Sequence, residues 1–288
     1  MRRKSLRVQE ESIRETYKAD AVKPEIRVSV ETLPQLKTVL SVPEIALVYA
    51  DEGSFTEKEL ADAFRMIRAA GKKAGRRLRR IMRDTDPEKE NTGMLPDAVL
   101  YRAFEEIGSA ENSENLQEDG TGIERIFDYT VYGYNAAAAL VLQSLGADTL
   151  TFPIELNERE LKLFRREAAG NGVHTRFELL VYGYLPMMVS ANCLAATTAG
   201  CDHKNRVLQL TDRTGKDMHV RCYCRYCYNQ IYNADALVLY DLPEAVSALR
   251  PDSIRYDFTI EGPEEVRRIL AGEVPRNMTR GHFRRGVL

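Results

Sequence analysis

The residues best suited to chemistry are the cysteines. All five lie within 35 residues, from Cys193 to Cys227, and the rest of the 288-residue chain has none. Seven residues separate Cys193 from Cys201, twenty-two separate Cys201 from Cys224, and the run closes as Cys222-Tyr-Cys224-Arg-Tyr-Cys227. The odd count argues against a disulfide framework, and so does the start of the chain, which carries charges but no apolar core of a secretory signal. A thiolate metal site is the better reading. Cys224-x-x-Cys227 can place two sulfurs on one centre, Cys193 and Cys201 supply two more, and Cys222 is left over. The spacing admits a zinc site as well as an iron–sulfur cluster. The seven-residue first gap fits poorly with a zinc ribbon, which pairs two C-x-x-C knuckles.

Three further residues are candidates for catalysis. Glu178, in Phe177-Glu-Leu-Leu-Val-Tyr-Gly183, reads as a strand carboxylate able to act as general acid or base, or else as half of an ion pair with an arginine. Arg102 closes Val99-Leu-Tyr-Arg102, where a guanidinium can grip a carboxylate or phosphate in bidentate fashion; the plain alternative is a surface arginine. His282 sits among glycines and arginines in Arg280-Gly-His-Phe-Arg-Arg-Gly286, which suits an anion contact or a packed structural histidine. The run Lys72-Lys73-Ala-Gly-Arg76-Arg77-Leu-Arg79-Arg80-Ile-Met-Arg83 is the densest basic stretch and reads as an RNA-phosphate contact or as a solvated face. The sequence lacks a phosphate-binding G-x-x-x-x-G-K-[ST], a dinucleotide G-x-G-x-x-G after a strand, H-E-x-x-H and G-x-S-x-G. With four histidines and no such spacing, a protease constellation is not legible.

The elements that must carry these residues alternate. Apolar, β-branched runs at Ile26–Val30, Ile45–Ala50, Leu78–Met82, Ala98–Arg102, Phe127–Tyr132, Thr149–Pro153, Phe177–Tyr182 and Ile254–Ile260 read as strands. Helical patterns fall between them at Leu33–Leu40, Glu57–Ala70, Asn135–Leu145 and Glu158–Ala169, the last with Asn157 as N-cap and Gly170 at its end. Eight strand–helix units predict an α/β fold, a (β/α)8 TIM-type barrel, with a doubly wound sheet as runner-up. Roughly seventy residues separate strands 7 and 8, so a cysteine-rich insertion, residues 183–235, is expected there, containing a hairpin around Leu210-Thr-Asp-Arg-Thr-Gly-Lys-Asp217. Residues 1–24 read as a charged lead-in, 25–288 as the barrel domain, and Asn112 to Gly122 as a loop. A net charge of −2 with 44% hydrophobic and 29% charged residues gives no bulk attraction to nucleic acid and predicts a globular, cytoplasmic protein with no membrane partner.

Longer stretches carry a resemblance. "RFELLVYGYLPMMVSANCLAATTAGC" followed by "LTDRTGKDMHVRCYCRYCYNQIYN" resembles the signature region of the collagenase-like peptidase family U-32. "DYTVYGYNAAAALVLQSLGADTLTFPIELN" and the terminal "TRGHFRRGVL" are similar to other parts of that family, the likeness running over residues 26–288. It implies a (β/α)8 barrel bearing a four-iron four-sulfur (4Fe-4S) cluster on Cys193, Cys201, Cys224 and Cys227; the family pattern has no cysteine at Cys222, which is open as a substitute for Cys224. Members with an established role hydroxylate RNA bases or take part in oxygen-independent hydroxylation of a quinone precursor, and others bear the peptidase label. The chain corresponds to the C-terminal barrel of the longer members. Three expectations follow: an iron–sulfur enzyme hydroxylating an RNA base or a small aromatic, anionic substrate; a hydrolase with a structural metal such as zinc; or a non-catalytic half that needs a partner chain supplying a second barrel.

Overall fold

The computed structural model describes residues 23–84, 86, 92–107, 122–198 and 200–285. Seven parallel strands follow in chain order, β1 (Glu25–Val30), β2 (Ile45–Asp51), β3 (Lys73–Arg77), β4 (Ala98–Tyr101), β5 (Glu124–Phe127), β6 (Thr149–Thr151) and β7 (Arg176–Gly183). The eighth barrel strand, β13 (Ser253–Asp257), pairs in parallel with both β7 and β1 and closes the ring. This is the (β/α)8 barrel expected.

Local sequence sets the helices that wrap it. Thr32, Thr56 and Asn157 each cap a helix, α1 (Leu33–Leu40), α2 (Glu57–Ala69) and α4 (Glu158–Gly170), and each cap is closed reciprocally by Gln35, Glu59 or Glu160 three residues on. Asn135 caps α3 (Ala136–Ser144) alone. The strands' outward residues, among them Val28, Val30, Val48 and Ala50, pack with the helices' apolar faces into the main core.

The barrel's interior is different in kind. A small apolar cluster, Leu47, Tyr49, Ala98, Leu100 and Ile126, fills part of it, and ion pairs fill much of the rest. Arg27 meets Glu124 at 2.9 Å and Glu178 at 3.6 Å. Glu178 in turn accepts from Arg255 at 2.6 Å, and Arg255 also holds Asp128 at 2.7 Å and Asp257 at 2.9 Å. Nearer the C-terminal mouth, Arg77 joins Glu31 at 3.0 Å and Asp51 at 3.1 Å. Removed from water, such charges persist only when each finds a partner of opposite sign.

Two strand positions differ from the sequence reading for this reason. The third strand is Lys73–Arg77, not Leu78–Met82, and the fifth is Glu124–Phe127, not Phe127–Tyr132. The inward residues of these strands include Gly75, Arg77 and Glu124, so hydrophobicity points a few residues too far along. Gly75 is required by packing: a Cβ there would stand 2.4 Å from the Tyr49 ring. Residues 128–131 instead form a short turn, capped by Asp128 and ended by Tyr132 in the left-handed region.

The break between β7 and β13 holds a second sheet, four antiparallel strands in the order β8 (Pro186–Ser190), β11 (Tyr228–Tyr232), β10 (Asp217–Tyr223) and β9 (Arg206–Thr211). The expected hairpin is the β9–β10 pair, turning at Gly215 with φ 80°. Beyond it, β12 (Ala236–Val238) runs antiparallel to the end of β7, beside β14 (Met278–Thr279). Most of the lead-in (residues 1–22) and of the Asn112 to Gly122 loop (112–121) lies outside the described residues, as do Gly286, Val287 and Leu288. No helix among the described residues is long and apolar enough to cross a membrane.

Arg255→Met leaves Glu178 and Asp128 as buried carboxylates short of a cation. A loss of roughly 3–5 kcal/mol in unfolding free energy is expected by denaturant titration; a loss below about 1 kcal/mol would mean that these charges do not depend on one another.

Candidate functional site

The C-terminal ends of the barrel strands bring together Glu31 after β1, Asp51 of β2, Arg77 of β3, Arg102 after β4 and Asp128 after β5. In a barrel this is the face that carries active sites. The inserted sheet covers it. Tyr223 donates to Glu31 at 2.9 Å, Tyr232 reaches the same oxygen at 3.4 Å, and Arg221 approaches the other Glu31 oxygen at 3.1 Å. Tyr223 and Tyr228 stack with ring centres 4.8 Å apart. Burial, reinforced by the charge of Asp51, pushes the Glu31 carboxyl above its ordinary range. Burial next to Glu31 raises the Tyr223 phenol well above its own. Asp128 behaves oppositely: burial opposes its charge, yet Arg255 and Arg102 hold it below the usual carboxylate range.

Strand alternation puts different chemistry on the two faces of β10. Arg221 and Tyr223 point to the barrel, while Val220, Cys222 and Cys224 point away and pack with Leu194, Leu208, Leu210 and Ile231. The thiols of Cys193, Cys201 and Cys222 lie within electrostatic reach of Cys224. Burial and then the charges of Cys222, Cys193 and Cys201 push the Cys224 thiol up to about 11. Asn205 accepts from the Cys224 backbone N–H at 2.8 Å, and Asn229 bonds the Asn192 carbonyl at 2.8 Å, tying the Cys193–Cys201 loop down over the strand. Cys222 is 1% exposed and enclosed in apolar side chains. Cys227 is exposed, has φ 50°, and turns its sulfur to the Cys224 carbonyl at 3.8 Å. Among the described residues, no three His, Cys, Asp or Glu side chains close tightly enough to hold a single metal ion.

The other candidates are dispersed. Glu178 lies within the barrel, fully buried and engaged by Arg255 and Arg27, so the ion-pair alternative describes its surroundings. Arg102 is at the mouth as expected but is 4% exposed, with Nε 3.4 Å from Asp128. His282 belongs to a tail segment pinned to the barrel wall, where Arg280 grips Asp241 and Phe283 is buried among Phe152, Leu161 and Leu237. Much of the basic run is engaged within the chain. Arg76 pairs with Glu52 and Glu57, Arg77 turns inward, Lys72 donates to the Val42 and Ile45 carbonyls, and Arg79 covers the Tyr226 ring at 4.1 Å. Arg83 reaches the carbonyls of Tyr226 and Cys227. Glu31, Asp51, Arg221 and Tyr223 escaped the sequence reading; the available signal was two carboxylates directly ending strands 1 and 2.

Comparison with known proteins is informative at the level of fold. No family model matches the sequence, and no curated protein does. The chain is similar to the solved U32 peptidase Mk0906, with a TM-score of 0.50 and 12% identity over 84% of this chain and 95% of that one. It is also similar to a thiamine phosphate pyrophosphorylase from Pyrococcus furiosus (TM-score 0.43, 10% identity, 87% of this chain and 96% of that). A third is the YdjI aldolase from Escherichia coli K12 (TM-score 0.42, 11% identity, 82% and 75%). The first likeness establishes a barrel of the same fold as a U32 peptidase.

One buried carboxyl offers a pH test of the barrel wall. Glu261, just after β13, accepts from the Thr259 and Ile260 N–H groups at 2.6 and 2.9 Å, and burial still lifts it to about 7. Because the folded value is raised, its favourable contribution is complete below the ordinary value near 4.5 and is lost as pH rises towards 7. Glu261→Gln should therefore gain stability relative to the parent by about 1.4 kcal/mol per pH unit across that window. Denaturation at pH 5 and pH 8 measures it, and a difference independent of pH would refute the assignment.

Proposed function

We propose that this chain is an iron–sulfur barrel enzyme. Its cluster is held by cysteines of the inserted sheet, and its substrate is a small aromatic or anionic molecule, or an RNA base, taken at the covered mouth. The observation that carries this reading is that Cys222 and Cys224 line one side of a segment whose other side closes the barrel, with the charges of Cys193 and Cys201, from the preceding loop, reaching Cys224. The seven-residue gap between Cys193 and Cys201 fits a zinc ribbon poorly, which favours a cluster.

Cys193, Cys201 and Cys224 are three of the ligands, and Cys227 is the fourth. Its position at the exposed turn leaves its sulfur accessible, whereas Cys222 is enclosed in apolar side chains that suit an inert thiol. A bound cluster supplies one-electron chemistry. The protein's own residues do the rest. Arg102 with Arg77 presents guanidinium charge to an anionic group, Tyr223, Tyr228 and Tyr232 exclude water and offer ring faces, and Glu31 is the carboxyl at the mouth able to exchange a proton. Glu178, held by two arginines, fixes the barrel beneath them. Hydroxylation of an aromatic ring or base is the reaction that the family resemblance favours for such a site.

Anaerobically purified protein should be brown, with broad absorbance near 400 nm, about four irons per chain and little zinc. Serine at Cys193, Cys201, Cys224 or Cys227 should each degrade the absorbance, and Cys222→Ser should leave it. Colourless protein with stoichiometric zinc would overturn the cluster. Bleaching by Cys222→Ser with Cys227→Ser unaffected would exchange those two residues.

A further inference from the structure

We infer that the groove between helix α4 and the tail segment around Phe283 binds an oligophosphate, a small anion of two or three linked phosphoryl groups. The site is separate from the covered mouth and needs no metal. The groove is open, encloses about 520 Å³, and is lined by Arg159, Lys162 and Arg166 of α4 and by Arg284 of the tail. The carboxylate in its lining is Glu158, whose two oxygens take Lys162 at 2.6 Å and Arg284 at 2.7 Å. Arg159 and Arg166 are exposed and have no carboxylate partner among the described residues. In a chain whose net charge is −2, so uneven a gathering of cations is local and not a reflection of composition.

The placement runs against what the helix itself prefers. Arg159, Lys162 and Arg166 follow a three- and four-residue spacing that puts them on one face, where like charges repel. Arg159 and Lys162 also stand near the positive end of the helix dipole. Glu160, the nearest acid in sequence, is turned to the cap, where it accepts from the Asn157 N–H at 2.9 Å. The tail adds to the imbalance: Phe283 is buried against Phe152 and Leu161, and its carbonyl accepts from the Glu158 N–H at 2.8 Å, which fixes Arg284 on the groove. A stripe of charge that weakens its own helix, completed by a cation from a separate segment, is a broken local rule of the kind that marks binding sites. Geometry narrows the ligand. Asn157 and the Phe283 carbonyl already take N–H groups of the first turn, so recognition falls to the side chains. Arginine forks pair with phosphate in bidentate fashion. Arg159 and Arg166 are separated by two helical turns, roughly 10 Å along the axis, which suits phosphoryl groups in a row better than a single one.

Calorimetric titration of the full chain with inorganic orthophosphate, pyrophosphate and tripolyphosphate tests this. Affinity should rise along the series, tripolyphosphate binding about 10-fold or more tighter than orthophosphate, and should weaken as salt is added. The Arg159→Gln, Arg166→Gln double variant should lose on the order of 10-fold in tripolyphosphate affinity. Lys73→Gln, which removes an exposed cation of the other basic stretch, should leave it unchanged. Arg159→Glu should abolish binding and at the same time raise the unfolding midpoint, because it replaces a cation at the positive end of α4 by an anion. A lowered midpoint would make Arg159 a structural residue and overturn its place in the site. Equal affinity for the three phosphates, or unaltered affinity in the double variant, would refute the site. A single-stranded oligonucleotide that binds more tightly than tripolyphosphate, and is lost in the same double variant, would overturn the oligophosphate in favour of a nucleic-acid backbone.

Discussion

Charge inside the barrel governs the rest of this structure. Where the common solution fills a (β/α)8 interior with branched aliphatic layers, this one runs a ladder of arginine–carboxylate pairs from Arg27 and Glu124 through Glu178 and Arg255 to Asp128. Each ion is tolerable because the next is in place. Such a ladder is weak evidence for extra stability, since an apolar filling of equal volume would hold as well or better. It does impose a requirement: Arg77 is shared between Glu31 and Asp51 at the mouth, and the second cation on Glu31 comes from outside the barrel.

The inserted sheet meets that requirement. Its contact with the barrel is polar, made by Arg221, Tyr223 and Tyr232 on Glu31 and by Arg221 on Ser54 at 3.3 Å. A lid seated through ions and phenols depends on the charge of its partners, so neutralising Glu31 or Arg221 would weaken the seat.

Much of this was legible in the sequence. Eight alternating units, the cap at Asn157, and the long gap before Ile254 led to the barrel and its insertion, because helices and outward strand faces obey ordinary amphipathic patterning. The inward faces do not. Lys73-Ala-Gly-Arg-Arg77 looks like a polar loop until Glu31 and Asp51 stand opposite it, and those lie more than twenty residues away in sequence. Glu178 and Arg102 stood out by their strand positions, but a linear pattern cannot tell a reactive carboxylate from one held by arginines on two other strands. The cysteine spacing separated the thiol cluster from the rest of the chain; which sulfurs adjoin depended on a strand's two faces.

Those two faces set a rule for how this region can change over time. Between Val220 and Cys224, side chains that face the barrel alternate one by one with side chains that face the thiols. Adding or deleting one residue there would send cysteines into the ion ladder and an arginine into the apolar pocket, a double failure from a single codon. A change of two residues keeps the alternation. The tip of the β9–β10 hairpin, around Gly215, stands free of both tasks and can lengthen or shorten. Length variation among descendants of this sequence should therefore gather at that tip and spare the segment from Val220 to Cys224.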